Sequence, residues 1–310
     1  MRKEEFFEVL GELDDELVKE TPAKRKVRWK IWGAAAACLC LVLAGGLIWR
    51  QAVPSYEESP QITVSEDGVT IPQMRVSLPT AGANTDMIAF FIYQGRCYRQ
   101  YEWIYDDADI VGEYLGTATG VIDEWTPEED YKEFSGSVAG GFYAVKGYDP
   151  AFMLCMKYPD GEISTYICDT GITMKYGSEL YEDRLHLSGN FTAVQYESRA
   201  SWYYSRGERY QMDGIHDIVL DFIAGMDSAQ FVPYHAVPLD EGQTHLSETE
   251  LYHLYFMMEN GTTVHLRLHE NGYVRFDGLL TVCLQVPEED YGALLDLLDN
   301  RAGSAVFAAD

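Results

Sequence analysis

Basic residues are scarce in this chain: 23 Lys and Arg stand against 50 Asp and Glu, a net charge of −27. From residue 50 onward the balance is 15 bases to 42 acids, and nothing there would neutralise a phosphate backbone. That excludes nucleic-acid binding by this part of the chain. Familiar catalytic motifs are missing too. There is no Gly-x-Ser-x-Gly elbow, Walker loop, dinucleotide-binding glycine fingerprint or His-Glu-x-x-His pair. No catalytic residue, cofactor or metal ligand is therefore assigned, and the chain is read as a non-enzyme. Cysteines number six, and Cys97, Cys155, Cys168 and Cys283 lie in strand-like apolar runs, where a small buried thiol is the default. Cys155 and Cys168 flank a Pro-Asp-Gly turn, but the expected register pairs Cys155 with a residue two to four positions before Cys168. A disulfide there would need a long loop or a bulge.

What the chain does have is one long uncharged run, Ile31 to Trp49. Nineteen residues at about 1.5 Å each span about 28 Å, close to the thickness of a bilayer's hydrocarbon core. Trp29 and Trp32 stand at one end and Trp49 at the other, where indole rings favour the headgroup boundary. Lys24, Arg25, Lys26, Arg28 and Lys30 precede the run, and only Arg50 follows closely. The positive-inside rule thus predicts a single-pass protein of the cell membrane, N-terminus cytoplasmic and residues 50–310 extracytoplasmic. Val42-Leu43-Ala44 offers an alternative as a signal-peptide cleavage site, but it comes late and the apolar run continues past it.

Residues 1–30 are too few for a core of their own. Their opening, MRKEEFFEVLGELDDELVKE, nonetheless has helical periodicity, with Phe6, Leu10, Leu13 and Leu17 in one stripe. The stripe predicts either a helix that docks a partner or a weakly ordered tail whose charges set the topology. Pro22 ends it, and the basic cluster follows.

On the exterior side, four prolines punctuate residues 50–86, which read as a stalk; within it ITVSEDGVTI predicts a small hairpin closing on Asp67-Gly68. Residues 87–185 read as a β-rich module. MIAFFIY and RCYRQYEWI meet at Gln-Gly, and EYLGTATGVIDEW, GGFYAVKGY, AFMLCMKY and GEISTYICD supply further strands. Residues 186–310 read as an α+β module, an antiparallel sheet with flanking helices. A helix is expected from Asp213 as N-cap to Gly225 as stop, and a second over PEEDYGALLDLLDN. Between them a meander should turn first at a two-residue Asn260-Gly261 loop, pairing Met257 with Val264 and Tyr255 with Leu266. It should turn next at a three-residue Glu270-Asn271-Gly272 loop that sets Leu268 against Val274 and Leu266 against Phe276. Residues 186–212 suggest no firm assignment. The fold class is thus a single transmembrane helix plus a β-rich and α+β exterior.

His265 and His269 are the nearest histidine pair, but on a strand they stand about 13 Å apart, too far to share an ion. Aspartates 106, 107 and 109 lack the layout of a calcium loop and read as a solvated acidic turn. Trp202, Tyr203 and Tyr204 would suit stacking on sugars or a peptide if exposed, but interior positions are the preferred reading.

Three stretches carry a family likeness: FFEVLGELDDELV, the basic-Trp-Ala-Ala-Cys-Leu-Cys span, and MIAFFIYQGRCY with KGYDPAFMLC. They resemble uncharacterised single-pass membrane proteins of anaerobic Firmicutes, over residues 1–50 and about 61–200. The layout is also similar to that of membrane-bound anti-sigma factors, though without the His-x-x-x-Cys-x-x-Cys of the zinc-containing kind. That resemblance implies that Phe6, Leu10, Leu13 and Leu17 face a sigma factor. The expectation is a membrane-anchored extracytoplasmic binding or scaffolding protein with an unidentified exterior ligand; the alternative is a transmembrane signalling protein of anti-sigma type.

Overall fold

The computed structural model describes residues 61–73, 88–104, 109–123, 126, 131–240, 242–300 and the backbone of 304–306. The expected inner helix, the membrane crossing at 31–49 and most of the 50–86 stalk lie outside the described residues. Among the described residues no helix is long and apolar enough to cross a membrane. The fold is β-rich and antiparallel with few helices.

The stalk hairpin is present as β1 (Thr63–Ser65) and β2 (Gly68–Ile71), but its two loop residues are Glu66 and Asp67. Gly68 belongs to the strand, at φ +115°, and a Cβ there would come within 2.3 Å of the Met174 carbonyl oxygen. Only glycine meets both demands. The close neighbour is β9 (Ile172–Met174), which pairs with β2, so this hairpin is not part of a free stalk. Val69 and Ile71 are buried in the main core.

The first large sheet comprises β3 (Phe90–Tyr93), β4 (Arg96–Ile104), β5 (Val111–Thr119), β6 (Ala139–Val145), β7 (Met153–Lys157) and β8 (Ile163–Ile167). Its order is β3-β4-β8-β7-β6-β5. The β3–β4 turn is the expected Gln94-Gly95, both at positive φ (51° and 67°), as a type I′ hairpin requires. Cys155 pairs with Thr165, three residues before Cys168, and Cys97, Cys155, Cys168 and Cys283 are all free and buried. Segment 134–137 bonds β3 on one side and the end of β5 on the other, through Ile92 N to Ser135 O and Thr119 N to Phe134 O. The sheet thereby curls on itself around Phe91, Tyr98, Phe142, Leu154, Met156 and Tyr166, all fully buried.

A short helix, α1 (Ser178–Tyr181), leads to the second sheet. That sheet comprises β10 (Phe191–Ser198), β11 (Arg209–Gln211), β12 (Phe231–Pro233), β13 (Glu250–Met258), β14 (Thr263–His269), β15 (Tyr273–Phe276), β16 (Val282–Gln285) and β17 (Ser304–Val306). Its order is β12-β16-β15-β14-β13-β10-β11-β17. The unassigned stretch 186–212 thus supplies an inner strand, a helix α2 (Arg199–Tyr203) and β11.

Two longer helices, α3 (Asp217–Ser228) and α4 (Glu288–Asn300), pack on one face through Phe222, Tyr291 and Leu294. Helix α3 starts after Gly214, with His216 rather than Asp213 as N-cap, and it runs through Gly225. Gly225 is instead where α3 crosses the start of α4: a Cβ would lie 2.9 Å from Asp290 Oδ2 and 3.1 Å from Val286 Cγ1. Small size, not helix termination, selects glycine here.

The β14–β15 turn has the expected register, Leu266 opposite Phe276 and Leu268 opposite Val274. The β13–β14 turn does not. Its loop has three residues, with Gly261 at φ +89°, and Asn260 Oδ1 accepts from both the amide and the hydroxyl of Thr262 (3.0 and 2.8 Å). Tyr255 therefore faces His265, and Leu254 faces Leu266. One extra loop residue shifts every partner by one and puts Leu254, Phe256, Val264, Leu266 and Leu268 together in the core.

Residues 58–310 form one compact unit, and the main core draws on both sides of the expected boundary at 185/186. The junction is specific. Beyond β15, the backbone of Thr263 and His265 is met by side chains from β4. Tyr101 OH donates to Thr263 O (2.9 Å) and accepts from His265 N (3.0 Å), and the Glu102 carboxylate accepts from Thr263 N (3.0 Å). Burial pushes the Glu102 carboxyl up to about 8, against the bonding from Thr263. The folded protein therefore holds a proton that the unfolded chain releases near 4.5, so stability falls as pH rises between about 4.5 and 8. Glu102→Gln, which still accepts from Thr263, should flatten that decline; thermal melts from pH 5 to 8 measure it.

Candidate functional site

The register that gathers the aliphatic residues on the helix-covered face puts a different set on the opposite face. Glu197 on β10, Arg209 on β11, His253 and Tyr255 on β13, His265 and Arg267 on β14, and Arg275 on β15 stand there as cross-strand neighbours.

Arg267 and Arg275 lie directly opposite each other, an arrangement that repels. Glu250 resolves it: its Oε1 accepts from Arg267 Nη1 and Arg275 Nη2, each at 3.2 Å. Burial opposes ionisation of Glu250, but His253 and Arg267 outweigh it and hold the carboxyl at about 2. Arg267 also donates through Nε to Asp277 Oδ1 (2.6 Å), and that carboxyl lies well below the usual range because His265 and Arg267 overcome its burial.

Two imidazoles run between the two carboxylates. Asp277 Oδ2 is 3.3 Å from His265 Nδ1, and His265 Nε2 is 2.8 Å from His253 Nδ1. With Asp277 accepting from His265 Nδ1–H, the Nε2 lone pair of His265 accepts from His253 Nδ1–H. Burial keeps His265 neutral by lowering its pKa. His269 does not approach this chain; it is buried beside Leu246 O and Thr249, and burial followed by Arg275 lowers it to about 4.

The other half of the face centres on Glu197, whose side chain is 5% exposed. It accepts from Tyr255 OH (2.6 Å), Ser201 Oγ (3.0 Å) and Arg209 Nη2 (3.3 Å). Arg209 lies flat on the Tyr255 ring, 3.7 Å from its centre, and Tyr255 stacks on His265 at 4.4 Å. Burial and the Glu197 carboxylate both raise the Tyr255 phenol, which stays a donor.

Helix α2 caps this face. Ser198 accepts from Ser201 N and starts the helix straight off β10, which carries Trp202 back over the sheet. The indole stacks on His253 at 4.5 Å, and Arg267 lies 4.6 Å from its centre. His253 and Arg267 are cross-strand partners, so the indole spans both with its inner side and leaves its outer side to solvent, 38% exposed. Tyr203 and Tyr204 follow at 63% and 64%, contrary to the interior positions expected for them. The reason is length: a five-residue helix turns one side chain, Trp202, onto the sheet and projects the next two outward. Arg199 stacks on Tyr203 and Arg206 on Tyr204, and neither arginine has a carboxylate partner among the described residues. Between α2 and β11 lies a cleft of about 410 Å³ lined by Gln195, Glu197, Ser201, Trp202, Ser205 and Arg209.

Phe6, Leu10, Leu13, Leu17 and the interface set of Lys24, Arg25, Lys26, Arg28, Trp29, Lys30, Trp32 and Trp49 lie outside the described residues, as do Asp106 and Asp107. Asp109 is exposed and pairs with Lys146. Among the described residues no three His, Cys, Asp or Glu side chains converge to hold a metal. Glu197, Arg209, Glu250 and Asp277 were not singled out by sequence reading; the one signal was polar residues alternating with apolar ones along β13 and β14. No protein-family model, curated protein or solved structure matches the chain.

Removing Glu250 leaves two buried guanidiniums facing each other. Glu250→Ala should lower unfolding stability by about 3–5 kcal/mol in urea titrations at pH 7. Because its folded pKa is depressed, its contribution is present above about 4.5 and lost as pH falls towards 2. The gap between variant and native protein should therefore narrow in acid.

Proposed function

We propose that the protein is a membrane-anchored extracytoplasmic binding protein without catalytic activity, and that its ligand surface is the cleft beside α2. The uncharged run 31–49, its tryptophans and the basic residues before it support the anchor and the orientation. The observation that carries the ligand surface is the state of Arg199 and Arg206. In an exterior with 42 acids to 15 bases, these two arginines rest on exposed tyrosines without a carboxylate partner among the described residues. Three of the 15 bases fall within residues 199–209, next to a half-exposed tryptophan and a cleft. Exposed aromatic and arginine side chains on a rigid sheet are a recognition surface.

The full chain in detergent, screened on immobilised oligosaccharides and peptides, tests this. The native chain should retain a defined subset, and the triple variant Trp202→Ala/Tyr203→Ala/Tyr204→Ala should lose it. Equal retention by both would overturn the reading, as would no retention at all. Alkaline phosphatase fused to the C-terminus should be active, since it folds only outside the cytoplasm.

A second reading, signalling of anti-sigma type, is favoured by the Phe6, Leu10, Leu13 and Leu17 stripe. It predicts that residues 1–30 used as bait retain a sigma factor stoichiometrically and that Leu13→Asp abolishes the capture.

A further inference from the structure

Resting on the binding reading, we infer that the cleft between α2 and β11 takes a carboxylated sugar, a uronic-acid residue of a polysaccharide. Four features of the cleft carry this. The outer side of the Trp202 indole offers a flat apolar surface of the kind on which a pyranose ring stacks, and its inner side is pinned on His253 and Arg267. Arg209 is pinned likewise, flat on Tyr255, and among the described residues it spends one of its five N–H donors, on Glu197. A fixed guanidinium with free donors matches a carboxylate. Gln195 and Ser205 add an amide and a hydroxyl to the lining, and among the described residues Oε2 of Glu197 accepts from Ser201 alone, leaving room for one sugar hydroxyl. The volume, about 410 Å³, suits one or two sugar units.

Charge selects the acid. Arg209 in the lining attracts an anion, and Arg206 stands in the chain between two lining residues, Ser205 and Gly207, while Glu197 penalises negative charge. A planar carboxylate meets the edge of the Arg209 guanidinium with parallel N–H···O bonds while its sugar ring lies on Trp202. Concavity, with Glu197, Ser201 and Arg209 in the lining, also distinguishes the cleft from a membrane-docking tip, which needs protruding apolar surface. Arg206, stacked on Tyr204 outside the cleft, stands where the next unit of an acidic chain would pass.

The test uses the full chain in phosphatidylcholine nanodiscs, with trigalacturonate, maltotriose and glucose 6-phosphate as calorimetric titrants. Trigalacturonate should bind, and maltotriose should bind at least about tenfold more weakly, the scale of one lost charge-assisted contact. Arg209→Gln and Trp202→Ala should each weaken trigalacturonate by about tenfold or more. Because both side chains also pack on the sheet, Arg206→Gln and Tyr204→Ala, in a surface contact that involves only each other and the exposed Tyr203, provide fold-neutral variants and should weaken it severalfold. Equal binding of maltotriose, preference for glucose 6-phosphate, or indifference to all four substitutions would overturn the assignment. So would binding to phosphatidylglycerol nanodiscs that trigalacturonate does not displace. If trigalacturonate fails while the array retains a ligand through the aromatic triplet, the sugar-acid assignment falls and the binding reading stands; silence in both experiments removes both.

Discussion

Asn260 holds the turn between β13 and β14 at three residues by accepting from the amide and hydroxyl of Thr262. A two-residue turn would shift the pairing by one and oppose each β13 side chain to one of the other face on β14. With three, Leu254, Phe256, Val264, Leu266 and Leu268 close over the core, and His253, Tyr255, His265 and Arg267 assemble opposite. The polar face exists because of one side-chain cap in one loop.

That face is stable because its charges alternate in space even though they do not in sequence. Glu250 sits between two arginines and Asp277 beside Arg267, and two imidazoles run between the carboxylates. Buried charges are tolerated when each is paired and hydrogen-bonded. Aromatic rings supply the rest of the solvation: Tyr255 beneath Arg209, Tyr234 beneath Arg275 and Trp202 across Arg267. Such a network is rigid, and rigidity is what lets Trp202 and Arg209 present fixed groups to solvent at low entropic cost.

The two sheets share one core because of how β14 is completed. Where β15 has ended, a phenol and a carboxylate from β4 take up main-chain groups of Thr263 and His265 that would otherwise be buried unpaired. Phe276 and Tyr101 then pack at a tilt across the joint, ring centres 5.2 Å apart. A boundary read from composition near residue 185 marks the change of sheet; the hydrophobic core passes through it.

Local chemistry was legible in the sequence wherever neighbours along the chain decide the outcome. Gln94-Gly95, the Pro159–Gly161 turn and Glu270–Gly272 set their hairpins by backbone preference, and the apolar and aromatic runs of β3, β4, β7 and β8, bounded by those turns, marked strands without reference to anything distant. The uncharged run and its basic flank remain an expected span, outside the described residues. Distant contacts were not legible. Gly225 reads as a stop until α4 is packed against it, and the 61–73 hairpin reads as stalk until β9 pairs with it. Glu197, Arg209, Glu250 and Asp277 are four acids and bases among many until the sheet brings them within 3.3 Å of their partners. A sequence specifies which side chains can meet at short separation, because chain geometry alone limits those choices; which of its many distant carboxylates meets which guanidinium is decided by strand register, and register belongs to the folded chain.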